Sequence, residues 1–208
     1  MNSPRIYSAV ILATLAAPFA VTLAACGSGT DTASTSTSSA TEKLAPSTTE
    51  IASPASTCPS AAPNKPTQPE WALPGATGSV AVTGSTDTAA PYVHVDTPFT
   101  TTATQVHTLH VGDGPVVADT ATVSVCYMGV NGRDGSVFDS SYERGEPVEF
   151  PLNRVVPGFQ KAIAGQQVGS TVAVAMTSAD GYPQGQPAAG IQPGDTLVFA
   201  IKILSSSS

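Results

Sequence analysis

The amino-acid sequence predicts an α+β domain built on an antiparallel sheet, and three patterns support this. Apolar and polar residues alternate, as in half-buried strands, along QVHTLHV, TATVSVCYMGV, TVAVAM and TLVFAIKIL. Turn signals rich in glycine and aspartate separate these segments. The segment GFQKAIAG is the one candidate helix, because Phe159 and Ile163 lie four residues apart on one face. Short strands with a single helix favour the α+β class.

The first 25 residues have the organisation of an export signal. Arg5 supplies a short positive region, and VILATLAAPFAVTL is an apolar stretch too short for a comfortable membrane span. The sequence LAACGS at 23–28 resembles the lipobox of bacterial lipoproteins, in which the cysteine is lipidated and becomes the mature N-terminus. The alternative is an ordinary secretory signal with an incidental cysteine. We expect residues 1–25 to be removed and Cys26 to anchor the chain at the extracytoplasmic face of the cell membrane.

Residues 26–70 are interpreted as a lipidated, disordered spacer. The segment is rich in Ser, Thr, Ala and Pro and contains no aromatic residue, so it cannot bury enough apolar surface to offset its ordering entropy. Trp71 marks the change in composition. We assign residues 71–104 to an N-terminal extension and residues 105–208 to the domain that contains the predicted sheet.

The charge balance restricts the partners of this chain. Eight basic residues stand against 15 acidic ones, which gives a net charge of -7 and a pI of about 4.7. These values and the absence of a basic run argue against nucleic acid as a partner. An acidic surface also disfavours anionic headgroups, so we expect the lipid anchor alone to provide membrane attachment.

Cys126 has two interpretations. His107 and His110, on a neighbouring predicted strand, could be bases for a thiolate nucleophile, but the strand alternation puts Cys126 on the outer face of the sheet. Once Cys26 is lipidated, Cys58 and Cys126 are the remaining cysteines, in an oxidising compartment where thiols usually pair. The preferred interpretation is a disulfide between Cys58 and Cys126 that holds the end of the spacer against the sheet.

The sequence favours neither a metal site nor a serine hydrolase. His107 and His110 are three apart on a strand, so their side chains point to opposite faces and cannot share an ion. Ser140 and Ser141 lie in no G-x-S-x-G turn, and no histidine follows them. Asp139 is the acidic residue in an apolar, aromatic context, and from that context alone it could be a base, a ligand, a turn cap or part of a pocket.

Four motifs resemble those of the FKBP-type peptidyl-prolyl cis-trans isomerases in order and spacing. They are VCYMG (125–129), VFDSSYERGEPVEFPL (137–152), VVPGFQKAIAGQQVGS (155–170) and GIQPGDTLVFAIKIL (190–204). The resemblance covers about residues 105 to 204. It implies the family's fold, a five-stranded antiparallel sheet wrapped around one short helix, and its activity, which is the rotation of X-Pro peptide bonds, here in exported proteins.

The resemblance also implies which residues form a proline pocket. Its lining would be Tyr127, Phe138, Phe150, Val155, Val156, Phe159, Ile191 and Phe199. Phe159 would be the floor, Asp139 and Tyr182 would supply polar contacts at the rim, and the backbone N–H of Val156 would hold a substrate carbonyl. No metal or cofactor is implied, because the reaction breaks no covalent bond.

Three positions depart from the family pattern. Phe159 replaces a common tryptophan, Val148 an aromatic residue and Pro183 a glycine, and the loop PQGQPAAG is unusual. These changes leave turnover and macrolide affinity open but keep the pocket apolar. The resemblance implies a monomer with proline-containing polypeptides as substrates and macrolides as inhibitors. The alternative is a non-catalytic proline-peptide binding module or chaperone that retains the pocket.

Overall fold

The computed structural model describes residues 57–66 and 68–207. The expected leader, Cys26 and most of the expected spacer lie outside the described residues. Two antiparallel sheets organise the described part of the chain. The first has the order β1-β2-β3, and its strands are β1 (Trp71–Pro74), β2 (Thr77–Thr83) and β3 (Tyr92–Thr100).

The second sheet has the order β4-β8-β9-β5-β6, with β7 also paired to β5. Its strands are β4 (Gln105–His110), β5 (Thr122–Asn131), β6 (Val137–Ser140), β7 (Val148–Pro151), β8 (Thr171–Met176) and β9 (Leu197–Ser207). Strand β6 pairs with the end of β5 and β7 with its beginning. The two therefore occupy one position along the edge of β5, and the predicted five-stranded antiparallel sheet is confirmed with its edge strand divided.

A short helix, α1 (Ser141–Arg144), fills the gap between β6 and β7. Ser140 caps its start, since the Ser140 hydroxyl accepts a hydrogen bond from the Glu143 N–H. Its end is closed by Gly145, which has a φ of 74° and donates its N–H to the Tyr142 carbonyl. These two caps fix where α1 begins and ends. The helix redirects the chain between the two halves of the edge strand.

The predicted helix is confirmed as α2 (Pro157–Ile163). Proline at the first helical position is favourable there, because its missing N–H would have no partner within the helix. Helix α2 buries Phe159, Ala162 and Ile163 against the second sheet. A Cβ at Gly158 would come within 2.8 Å of Met176 on β8, so this glycine permits the close approach of α2 to the strand.

The second sheet separates two apolar cores because successive side chains of a strand point to opposite faces. On one face, β5, β8 and β9 pack against α2 to form the principal core, which includes Val125, Val174 and Ile201. On the other face, small residues of β8 and β9 pack against the first sheet; this back core comprises Leu73, Val80, Val82, Phe99, Ala173, Ala175, Val198 and Ala200. The expected N-terminal extension is thus a three-stranded cover on the back of the second sheet.

The segment that precedes the first sheet lies against β5 and α1. The Cys58 N–H donates to the Gly145 carbonyl at 3.1 Å, and the structure places Cys58 and Cys126 in a disulfide. Cys126 does point away from the principal core, as the alternation predicts. It is not exposed, however, because residues around Cys58 and Ala90 cover it, leaving 1% of its surface accessible.

The structure does not support Cys126 as a nucleophile. Its sulfur is bonded to Cys58, and β4, which holds His107 and His110, is separated from β5 by β8 and β9. The predicted neighbouring position of these histidines is therefore wrong. Within the described residues, no helix combines the length and apolar character needed to cross a membrane.

Candidate functional site

A cavity of about 340 Å³ opens beside the N-terminal end of α2, between that helix and the strands β5, β6, β7 and β9. Its lining consists of Tyr127, Phe138, Asp139, Phe150, Arg154, Val155, Val156, Phe159, Tyr182 and Phe199. These residues come from separate elements of the chain, and the fold brings them together. The volume lies at the small end of the range for ligand pockets, which suits a single ring with its flanking backbone.

The aromatic side chains form the walls and floor of this cavity. Phe159, projected from α2 and 5% exposed, stands at the centre. Its ring centroid lies 5.8 Å from Tyr127, 5.7 Å from Phe150 and 5.4 Å from Phe199, all in edge-to-face arrangements. Phe138 meets Phe199 at 5.5 Å, also edge-to-face. Edge-to-face pairs add stability beyond area burial, so the rings hold one another in a fixed, apolar enclosure.

Gly129 on β5 makes this close ring packing possible. A Cβ at this position would lie 2.6 Å from the Phe138 ring and 2.9 Å from the Phe199 ring. Such distances are far inside van der Waals contact, and neither ring could move without disturbing the other. The close packing of these two rings therefore requires glycine at this position of the motif VCYMG.

Asp139 is held by two partners at the rim. Its carboxylate accepts hydrogen bonds from the Tyr127 hydroxyl and from Arg144 Nη1 at 2.6 Å. Arg144 also donates to the Tyr127 hydroxyl oxygen at 3.3 Å, which closes a triangle of three side chains. The charge of Asp139 is thus neutralised locally and fixed in place by α1.

Burial and hydrogen bonding shift the pKa values of Asp139 and Tyr127 in opposite directions. Burial by itself opposes ionisation of Asp139, but the hydrogen bonds from Tyr127 and Arg144 outweigh it and hold the pKa of Asp139 below its usual 3.8. Burial, followed by the hydrogen bond to Asp139, raises the pKa of Tyr127 to about 12. Near neutral pH the carboxyl is therefore ionised and the phenol protonated, and neither is suited to exchange a proton with a substrate.

Val156, a lining residue at the start of α2, has a backbone donor without an acceptor in the described part of the chain. The N–H of Val156 has no hydrogen-bond acceptor among the described residues, whereas its carbonyl accepts from the N–H groups of Phe159 and Gln160. Val156 has extended backbone angles at the N-terminal cap position of α2, where free N–H groups are expected. A ligand carbonyl could accept a hydrogen bond from this N–H.

The loop that follows Tyr182 is fastened to the turn after β5. Arg133 Nη2 donates to the Gly190 carbonyl at 3.0 Å. Asp195, 8% exposed, accepts from Asn131 Nδ2 at 2.7 Å and from Arg133 Nε at 3.2 Å. These contacts order the loop that contains the unusual sequence PQGQPAAG despite its prolines and glycines.

The structure places every residue predicted for the pocket in its lining except Ile191. Ile191 is 2% exposed and belongs to the principal core. Its backbone forms a bridge with Gln186. Ile191 shares this core with the lining residues Phe159 and Phe199, and its place in the substrate pocket stays a prediction.

Two arginines at the site were missed by sequence reasoning. Arg144 is the ion-pair partner of Asp139. It follows Asp139 by five residues in VFDSSYERG, and a helical turn between them brings the two side chains together. Arg154 lines the cavity directly before Val155, and its proximity in sequence to the expected pocket valines was the available signal.

The described residues contain no group of three or more His, Cys, Asp and Glu side chains arranged to hold a metal ion. His107 is stacked on Trp71 with ring centroids 5.7 Å apart, and His110 lies 3.6 Å from Glu70. His94 pairs with Asp96 at 3.2 Å. The three histidines thus have separate surface partners, and none of them lines the cavity.

Comparison with known proteins relates the part of the chain that forms the cavity to a described family. The model of a family described as FKBP-type peptidyl-prolyl cis-trans isomerase matches residues 96–204. The chain is 40% identical over 100 residues to the FKBP-type 22 kDa peptidyl-prolyl cis-trans isomerase of Escherichia coli, covering 48% of each chain. It is 35% identical over 97 residues to the FK506-binding protein of Streptomyces anulatus, covering 45% of this chain and 78% of that protein.

Among solved structures, the chain is similar to FkpA from Escherichia coli, with a TM-score of 0.46 and 32% identity over 50% of this chain and 48% of that one. The similarity to both Escherichia coli proteins thus spans about half of their length. The matched part of the present chain includes the whole cavity lining.

Proposed function

Because the chain belongs to the FKBP-type peptidyl-prolyl cis-trans isomerase family, we propose that its domain catalyses the cis-trans rotation of X-Pro peptide bonds in polypeptides. The observation that supports this most is the aromatic cavity of about 340 Å³, lined by the fixed carboxylate of Asp139 and by Val156, whose N–H has no acceptor in the described part of the chain. The substrates we propose are proline-containing polypeptides, with macrolides as competing ligands. The active form we propose is a monomer.

The reaction needs a twisted amide rather than a reactive side chain. Rotation about an X-Pro bond has a barrier of about 18–20 kcal/mol, because the twisted amide loses its resonance, and uncatalysed exchange takes tens to hundreds of seconds. A site that binds the twisted form more tightly than the planar form accelerates the rotation. Chemistry of this kind requires no nucleophile, metal or proton transfer.

The aromatic walls supply the first part of this discrimination. Water stabilises the charge-separated planar amide, and a proline enclosed by Phe138, Phe150, Phe159 and Phe199 loses that solvation. The twisted amide has less charge separation, so it loses less solvation free energy in the cavity. The rings are fixed by edge-to-face contacts, so the cavity is formed before the substrate arrives.

Donors at the rim supply the second part. The Val156 N–H has no acceptor among the described residues, and the Tyr182 side chain lines the same cavity. During rotation the carbonyl oxygen takes up a new direction, and donors placed for that direction stabilise the transition state selectively. Asp139 acts as a fixed negative group that orients Tyr127 and Arg144, rather than as a base.

We also propose that the domain acts outside the cytoplasm, at the outer face of the cell membrane, on exported proteins. The support lies in the sequence: the leader-like segment 1–25 and the lipobox-like LAACGS around Cys26. Metabolic labelling with a radioactive or clickable fatty acid tests this. We expect label in the wild-type chain and none in Cys26→Ser, and equal labelling of the two would contradict lipidation at this residue.

The activity is tested with the full chain in a proline-peptide isomerisation assay. We expect the chain to accelerate the cis-to-trans relaxation of a short X-Pro peptide, and a macrolide to suppress the acceleration. Absence of any acceleration by a chain whose circular dichroism and cooperative unfolding show it to be folded would contradict the enzyme.

The alternative is a binding module or chaperone without turnover. The observations that favour it are Phe159 on the cavity floor, where the family commonly has tryptophan, and Pro183 after the rim tyrosine. Suppression of aggregation of an unfolded client protein, without acceleration of peptide isomerisation, would support this alternative. A chain that accelerates isomerisation would exclude it as the sole function.

A further inference from the structure

Arg154 is a charged residue in the cavity lining that the mechanism does not use. It ends a short 3-10 turn, Leu152–Arg154, whose first residue is fully buried and donates its N–H to the Ala121 carbonyl at 2.9 Å. Val155 and Val156, which follow directly, also line the cavity. The backbone at Arg154 thus lies between a buried, hydrogen-bonded residue and the start of α2, and the side chain is exposed at the edge of the cavity.

Within the described part of the chain, Arg154 forms no ion pair or side-chain hydrogen bond, in contrast to most of the other cations. Arg133 pairs with Asp134 and Asp195, Arg144 with Asp139, and Lys161 with Asp180. Lys202 donates to the Gly169 carbonyl at 2.6 Å. Lys65 also forms no ion pair there, but it lies outside the cavity lining.

Among the charged residues of the cavity lining, Arg154 is therefore the one without an ion-pair partner within the described part of the chain. Asp139 is the one acidic residue in the lining, and Arg144 compensates it, which leaves the charge of Arg154. The chain as a whole has a net charge of -7, which by itself disfavours acidic ligands. At physiological ionic strength charges farther apart than about 8 Å are largely screened, so the nearby guanidinium dominates for a residue bound in the cavity.

We propose that Arg154 gives the site a preference for X-Pro segments in which a glutamate or aspartate flanks the proline. This inference rests on the proposed isomerase function and specifies its substrate class. A flanking carboxylate would pair with the guanidinium at the mouth while the proline ring occupies the aromatic cavity. The contact is made equally in the planar and the twisted amide, so it lowers KM and leaves kcat unchanged.

The test uses the full chain and two matched peptide series. One series varies the residue before proline among Glu, Gln and Lys, and the other varies the residue after proline in the same way. We expect kcat/KM for the Glu peptide to exceed that for the Gln peptide about two- to fivefold in at least one series, which is the size typical of an exposed ion pair. The Lys peptide should be the poorest of the three, and the Glu-to-Gln ratio should approach one as salt is raised.

Variants identify the residue responsible. The Glu-to-Gln ratio should fall to about one in Arg154→Gln, persist in Arg154→Lys and invert in Arg154→Glu. Lys65→Gln is the matched control, because it removes the same charge at an exposed position outside the cavity lining, and it should keep the wild-type ratio. Each ratio is measured within one preparation, so a partly folded variant still gives a valid result.

Three outcomes would overturn the inference. Equal kcat/KM for the Glu and Gln peptides in both series overturns the acidic preference while the proposed function stands. A preference that survives in Arg154→Gln, or disappears in Lys65→Gln, overturns the assignment to Arg154. Failure to accelerate any peptide overturns the proposed function and this inference with it.

Discussion

The two faces of β8 and β9 differ in the size of their side chains and in what covers them. On the face toward α2, the strands present bulky residues such as Met176, Phe199 and Ile201, and the cover is incomplete, so a cavity remains. On the back face the same strands present Ala173, Ala175 and other small residues, and the three-stranded first sheet covers them.

Within this single pair of strands, the back face therefore contributes to stability, and the face toward α2 also forms the cavity. The small back-face residues allow the two sheets to approach closely and exclude water, whereas the large residues on the α2 face enclose a cavity that must stay accessible. Because adjacent positions in a strand point to opposite faces, substitutions one residue apart should have different consequences. Four variants compare the cavity side of the second sheet with its back, in order of decreasing expected effect on stability.

Phe99→Ala should affect stability alone. Phe99 lies on β3, is fully buried in the back core, and is distant in the fold from the cavity lining. We expect the free energy of unfolding to fall by about 3–5 kcal/mol, as measured by urea denaturation. The kcat/KM for each folded molecule should stay at the wild-type value, and a large change in it would show that the two faces are coupled.

Phe199→Ala should affect both stability and activity. Phe199 is 5% exposed, contacts Phe138 and Phe159, and lines the cavity. We expect a loss of about 3 kcal/mol in unfolding free energy, at the lower end for such substitutions because one side of the ring already borders the cavity. The kcat/KM of the folded fraction should fall at least about tenfold, equivalent to about 1.4 kcal/mol of transition-state stabilisation. Full activity in folded Phe199→Ala would contradict a contribution of the aromatic walls to catalysis.

Removal of the disulfide should destabilise the back face without altering the chemistry. In Cys58→Ser/Cys126→Ser the crosslink between positions 68 residues apart is lost, and we expect a decrease of about 2–4 kcal/mol in unfolding free energy. Mass mapping of the wild-type chain under non-reducing conditions checks the pairing itself. Two free thiols in the folded, oxidised chain would contradict it.

Asp139→Ala should have a modest effect on turnover. The substitution frees Tyr127 and Arg144 from their shared partner but leaves the aromatic walls in place. We expect kcat/KM to fall about two- to fivefold, as for the loss of a partly exposed charge interaction. Complete loss of activity with the fold intact would contradict the role of Asp139 as a fixed accessory charge.

Much of this architecture follows from local sequence patterns. The alternation in TATVSVCYMGV correctly assigns Val125 and Tyr127 to the principal core and Cys126 to the opposite face, because strand geometry leaves each residue only two directions. The helix at Phe159 follows from a four-residue spacing. The family motifs identified the cavity lining, whose members are far apart in the chain and cannot be associated by periodicity.

The remaining features depend on long-range packing that no local pattern reveals. The burial of Cys126 results from a cover supplied by residues around Cys58 and Ala90. The separation of β4 from β5 depends on strand order, and the pairing of Arg144 with Asp139 depends on α1, a helix of four residues that is too short to give a periodic signal.

The dependence of kcat/KM on pH examines the proposed absence of a reacting acid or base. Tyr127 has a pKa raised to about 12, and the pKa of Asp139 lies below 3.8, so the phenol stays protonated and the carboxylate ionised between about pH 5 and 9. With an uncharged X-Pro peptide we predict a flat profile over this range. A bell-shaped profile, or a single step near neutral pH in a chain that remains folded, would show that proton transfer contributes and would contradict catalysis by the apolar cavity alone.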